Sequence, residues 1–227
     1  MSSWLSNAEL EAVLLSLRVS FVAVVASLPF GIALGWWLAR RRFRGKAVVE
    51  TLLNLPLVLP PVVTGWLLLA TFGSNGWLGG PLGIEIAFTW KGAALAAAVL
   101  AFPLMVRSIR LAFEAVDPRL EGAARTLGAK PFDVFLTVSL PLARRGVIAG
   151  SVLAFARAMG EFGATIMIAG SIPGETRTIA LYVLHRLEEP GGVEGAGRVI
   201  AVSIVIAAAA LVLSEILERR GRREIGR

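Results

Sequence analysis

The chain has 227 residues, 56% of them hydrophobic and 17% charged, and its mean hydropathy is +0.73; soluble domains sit nearer 45–50% apolar, so the excess points to a lipid environment. With no cysteine and the single histidine His185, a thiolate site, a disulfide framework and a His-cluster metal centre are excluded on inventory, and no cofactor-binding pattern is present. The net charge of +7 does not point to nucleic acid, because the cations fall in clusters (Arg40–Lys46, Arg107–Arg145, Arg219–Arg227) that flank hydrophobic runs, as the positive-inside rule predicts for cytoplasmic loops.

A membrane-crossing helix needs about 20 mainly apolar residues. The first such run covers residues 10–39, with Trp36 and Trp37 as interfacial anchors. No signal-peptide pattern precedes it, so it is expected to stay in the mature chain. The second run, 48–72, contains Pro56, Pro60 and Pro61. Each proline removes a backbone donor, so this span is expected to be kinked, broken or partly re-entrant. The third, 88–106, continues as an amphipathic helix through Arg107, Arg110 and Glu114. The fourth covers 146–169 and the fifth 199–217, followed by a basic tail, 218–227. Five helical spans with the Arg clusters inside place the N-terminus outside and the C-terminus in the cytoplasm. The expected fold is an all-α polytopic membrane bundle. Of the external segments, 179–187 reads as a short surface helix and 188–197 as a turn-rich connector.

The stretch 117–141, DPRLEGAARTLGAKPFDVFLTVSLP, carries the clearest local signals. Asp117 is a good N-cap and Pro118 suits the first helical position. Leu120, Ala123, Ala124 and Leu127 share one helical face, and Gly128 supplies the stop. This short helix has nothing in its own loop to cover its apolar face, so a partner protein is expected to do so.

The pattern Gly122-Ala123-Ala124, Gly128, Val138, Leu140-Pro141 resembles the EAA loop of bacterial ABC importer permeases. In that family the loop is the coupling helix that docks on an ATPase subunit, so the resemblance implies coupling roles for Leu120, Glu121, Gly122, Ala123, Ala124, Leu127, Gly128, Leu140 and Pro141. Gly122 stands where the family usually has Glu, and Glu121, one position earlier, would act from a different helix face. The stretches 54–65 (NLPLVLPPVVTG) and 154–178 (AFARAMGEFGATIMIAGSIPGETRT) resemble the molybdate and sulfate branch, the second being closer to the molybdate members. The resemblance spans roughly residues 10–217. It implies a type I importer permease in the bacterial inner membrane, a homodimer with two ATP-binding cassette subunits and an extracytoplasmic molybdate-binding protein. Sulfate, thiosulfate and tungstate are the alternative cargoes. The chain lacks GxxxxGK[ST], with only Gly45-Lys46 as a fragment, so ATP hydrolysis is assigned to another chain.

Within the fourth span, Arg157 and Glu161 are spaced i, i+4, and each is costly if unpaired in lipid. They either neutralise each other or line a gated path together with Gly163 and the prolines Pro56, Pro60 and Pro61, which otherwise simply fix a bend. Glu161 would repel a dianion, so selectivity is expected in the separate binding protein. Gly174, Glu175, Thr176 and Arg177 form either the docking loop for that protein or a plain polar turn. A more remote alternative, an ion-coupled secondary transporter, would need acidic or His relays at mid-membrane, where only Glu161 lies well inside a span, offset by Arg157; no catalytic constellation supports a membrane enzyme.

Overall fold

The computed structural model describes residues 5–83, 85–189 and 192–225, with side chains described for all of these except Leu82, 192–195 and 217–225. Every regular element among the described residues is helical: α1 Asn7–Arg40, α2 Lys46–Val58, α3 Pro61–Phe72, α4 Gly79–Leu82, α5 Trp90–Glu114, α6 Pro118–Thr126, α7 Pro131–Val134, a π-helical turn Phe135–Ser139, α8 Leu140–Met159, α9 Gly163–Ala169, α10 Ile179–Glu188 and α11 Gly192–Ile225. Among the described residues, four helices are long and apolar enough to cross a membrane, and α2 with α3 makes a fifth span if that bent pair counts as one.

α5 is the centre of the bundle, packed between α1 and α8. Its buried face is built from small residues at the far end (Ala93, Ala94, Ala96, Ala97, Ala101) and larger ones toward the basic end (Met105, Ile109, Phe113). Where the larger residues lie, the neighbouring helices yield space. A Cβ on Gly35 of α1 would sit 2.8 Å from Ile109 Cγ2, and one on Gly146 of α8 only 2.2 Å from Ala112 Cβ. Small-residue interfaces of this kind let helices approach closely in lipid, where dispersion replaces the hydrophobic effect as the source of association.

The capping chemistry matches the sequence. Ser6 and Glu9 form a capping box at the start of α1. Near the same end Arg18 lies over the Trp90 ring, 3.9 Å from its centroid, which gives a cation inside an apolar helix an aromatic partner.

Two boundaries differ from the sequence expectation. The fourth span is not one helix over 146–169: a single helical stretch runs from α7 through the π turn to Met159, then breaks at 160–162 before α9. The fifth helix starts at Gly192 inside the expected connector and runs to Ile225, so the proposed tail (218–227) is helical over most of its length, and its side chains lie outside the described residues. Trp36, expected as an interfacial anchor, is half-buried at the end of α1. It packs edge-on against Phe135, with ring centroids 5.3 Å apart. The third span continues to Glu114 as expected, and the second breaks at its prolines, with α2 and α3 bent by 108°.

Replacing Gly146 by Val forces the α5–α8 contact apart and should cost about 1–3 kcal/mol of stability. Thermal unfolding in detergent measures this, and an unchanged midpoint would contradict the close-approach account.

Candidate functional site

α6 forms as its sequence dictates. The Asp117 carboxylate accepts a hydrogen bond from the Arg119 amide at 2.9 Å. At the other end Gly128 takes φ +91°, and the amides of Gly128 and Ala129 donate to the carbonyls of Arg125 and Ala124. That is a Schellman closure, which favours glycine because of the left-handed backbone. The helix presents Leu120, Gly122, Ala123 and Leu127 outward, with Leu127 89% exposed. Ala124 is half-buried, Gly128 and Pro141 are exposed, and Leu140 packs partly against the core at the start of α8. Phe132 and Leu136, also exposed, extend the apolar surface beyond the helix.

Glu121 does not belong to that surface. It is 4% exposed and turned toward the bundle. Its Oε1 accepts from Arg40 Nε at 2.8 Å and from Ser139 Oγ at 2.7 Å, and Arg125 approaches Oε2 at 3.7 Å. Arg40 also donates to the Val116 carbonyl at 3.0 Å. A carboxylate this buried requires such partners. No local sequence signal marks Arg40 or Ser139 for this role: Arg40 is one of a basic cluster, and its partner lies 81 positions away.

Most of the residues expected to line a path are brought together, with Arg157 and Glu161 as an ion pair. Glu161 sits in the break between α8 and α9, 3% exposed. One oxygen pairs with Arg157 at 2.9 Å and the other accepts from the Ala164 amide at 3.0 Å, which caps the first turn of α9. The neutralising alternative therefore describes the geometry. The two broken spans meet at their breaks. A Cβ on Gly163 would lie 2.9 Å from Pro61, and one on Gly65 would lie 2.6 Å from the Ala164 carbonyl oxygen. Pro60 precedes this contact as the N-cap of α3, and Pro56 lies within α2, away from it. In lipid, irregular backbone is tolerated only where protein or a water-filled cavity satisfies it, and each break here is covered by the other.

At the far end the 172–177 loop is a stapled turn. The Ile172 amide donates to Thr176 Oγ1 at 2.8 Å, and the Ile172 carbonyl accepts from the amides of Glu175, Thr176 and Arg177. Thr176 is fully buried, so it shapes the turn and offers no surface, whereas Gly174 and Glu175 are exposed at the tip and Arg177 is held by Ser171. Two long-range ties without a local sequence signal hold this end: Ser16 Oγ accepts from the Ile179 amide at 2.7 Å, and the fully buried Glu9 pairs with Arg198 at 3.5 Å. At the basic end Arg110 bridges Glu50 and Glu114, each at 2.7 Å, and so ties the start of α2 to α5.

A helical bundle with two spans broken against each other, and a capped helix offering an unpartnered apolar face at its basic end, defines a polytopic membrane permease. The chain matches the family of binding-protein-dependent transport system inner membrane components over residues 31–223, and it belongs to that family as a multi-pass inner-membrane protein. It is 56% identical over 227 residues to the molybdenum transport system permease protein ModB of Escherichia coli strain K12, covering 98% of this chain and 99% of that one. Its identity to the protein of the same name in Haemophilus influenzae is 47% over 222 residues, covering 96% and 97%. The sulfate transport system permease protein CysW of Synechocystis is 37% identical, covering 92% of this chain and 77% of that one. Among solved structures, the fold resembles a bacterial ABC transporter that imports alginate (TM-score 0.69, 18% identity, covering 97% of this chain and 81% of that one). It also resembles the MetNI methionine transporter (TM-score 0.63, 17% identity, covering 97% and 98%). The expected all-α type I importer fold is therefore the observed one.

Replacing Glu161 by Ala removes both the partner of Arg157 and the cap of α9, and should cost about 1–3 kcal/mol. Glu161→Gln keeps an acceptor for the Ala164 amide and should cost less. Unfolding in detergent ranks the two, and equal, negligible effects would contradict the capping role.

Proposed function

We propose that this chain is the membrane-spanning subunit of an ATP-binding-cassette importer that carries molybdate across the inner membrane. It works as a homodimer, with two ATPase subunits on the cytoplasmic face and an extracytoplasmic molybdate-binding protein outside. The observation that carries the coupling part is the capped α6 helix whose Leu120, Ala123 and Leu127 face solvent. An exposed apolar patch beside a polar rim marks a protein interaction surface, and an ATPase groove is the occupant the family membership favours. Substrate rests on graded similarity: 56% identity to a molybdenum permease against 37% and 38% to sulfate permeases.

Orientation follows from charge and contact together. The Arg40–Glu121 pair holds the first basic loop and the α6 loop at one end of the bundle, and positive loops face the cytoplasm. The Glu9–Arg198 and Ser16–Ile179 ties gather the N-terminus, α10 and the 172–177 turn at the other end. The turn tip, Gly174 and Glu175, is then the docking point for the binding protein. Leu52, Leu55 and Val58 of α2 are exposed, and no residue of that helix is buried; this face supports a homodimer contact. The facing breaks at Pro60–Pro61 and Gly160–Gly163 are the gate element beside the path.

The test is uptake in proteoliposomes holding this chain, its ATPase and its binding protein. Labelled molybdate should accumulate only with ATP and should resist excess sulfate, while competition by tungstate measures how far the two are distinguished. Leu127→Asp should abolish both uptake and recovery of the ATPase with the membrane subunit. Accumulation that ignores ATP and follows an ion gradient would contradict the reading.

A further inference from the structure

The coupling helix is poorly packed against the rest of the bundle. α6 rests on α7 and the π turn, and its connection to α1 is the Glu121 carboxylate gripped by Arg40. A cavity of about 550 Å³ lies beside this contact, lined by Trp36, Arg40, Arg41, Glu121, Phe135 and Ser139. The helix is therefore held to α1 by a charged pair next to open space, without an apolar interface. The same carboxylate accepts from Ser139, the last residue of the π turn that leads directly into α8. π turns are rare and are frequently found at functional sites. Phe135, at the start of this one, is wedged between Trp36 of α1 and Phe113 of α5.

We propose that Glu121 is a positioning residue for energy coupling: clamped between Arg40 and Ser139, its carboxylate makes the coupling helix move as one body with α1 and with the base of α8. The proposal rests on the reading that α6 docks on the ATPase, and it deepens that reading. Docking alone would leave α6 free to rock against its loop. The clasp converts a push on Leu120 and Leu127 into displacement of two spans. One of these, α8, ends at the Gly160 break against α3; the other, α1, runs about 50 Å at roughly 1.5 Å per residue to the Glu9–Arg198 contact at the far end. Glu121 faces the bundle, so it leaves the ATPase contact itself intact.

The experiment compares Glu121→Gln, Arg40→Gln, their combination and Leu127→Asp in the assembled importer. It reads ATPase recovery, ATP hydrolysis and molybdate uptake per ATP. Glu121→Gln and Arg40→Gln should each retain the ATPase and its hydrolysis while uptake per ATP falls by about tenfold, and the double variant should be no worse than either single one. Because Arg40 lies on a different helix, it decides the matter if Glu121→Gln fails to assemble. Loss of the ATPase in Arg40→Gln, an unchanged uptake-to-hydrolysis ratio, or additive losses in the double variant would each overturn the clasp. If Leu127→Asp keeps its ATPase, the docking reading itself has failed and the clasp falls with it.

Discussion

Helices surrounded by lipid gain nothing from hiding apolar side chains from one another, because the solvent is as apolar as they are. Association then depends on how closely the backbones approach, and in this bundle that distance is set by absent side chains. Gly35 and Gly146 leave the room that Ile109 and Ala112 fill, and α5 is held between α1 and α8 as a result. The same device brings α3 onto α9 at Gly65 and Ala164. Everything the chain is proposed to do is hung from these contacts, since they fix which helix ends share a surface.

Polar groups are then placed where close packing stops. Four carboxylates lie at a helix end or a break, and these four are matched: Glu161 by Arg157 and the α9 amide, Glu50 by Arg110, Glu9 by Arg198, Glu121 by Arg40 and Ser139. An unpaired charge at such depth would be expensive. Pairing removes the cost and also determines direction, because a buried carboxylate commits its helix to one rotation. For α6 the consequence is direct: with Glu121 inward, Leu120, Ala123 and Leu127 must face out.

How much of this was readable in the sequence follows from range. The spans, the break at Pro60–Pro61 and the capped helix at 118–126 were legible because each depends on residues within a turn or two of one another. The break at Gly160 was not: Arg157 and Glu161 at helical spacing look like an intact helix, and they make the same pair whether the backbone between them is regular or broken. Nor was the facing of Glu121, which needs Arg40 from 81 positions away. Thr176 reads as a surface polar residue in a loop, yet it is the staple of that loop. Hydroxyls that close turns and those that meet partners have the same local pattern, and only burial separates them.

The absence of cysteine from the chain allows a direct test of the surface on which the account depends. A single Leu127→Cys variant would be labelled with a membrane-impermeant maleimide, in right-side-out and inside-out vesicles, with and without the ATPase. The account predicts labelling from the cytoplasmic side alone, and protection once the ATPase is bound. Labelling from the outer side, or cytoplasmic labelling that the ATPase leaves unchanged, would contradict it.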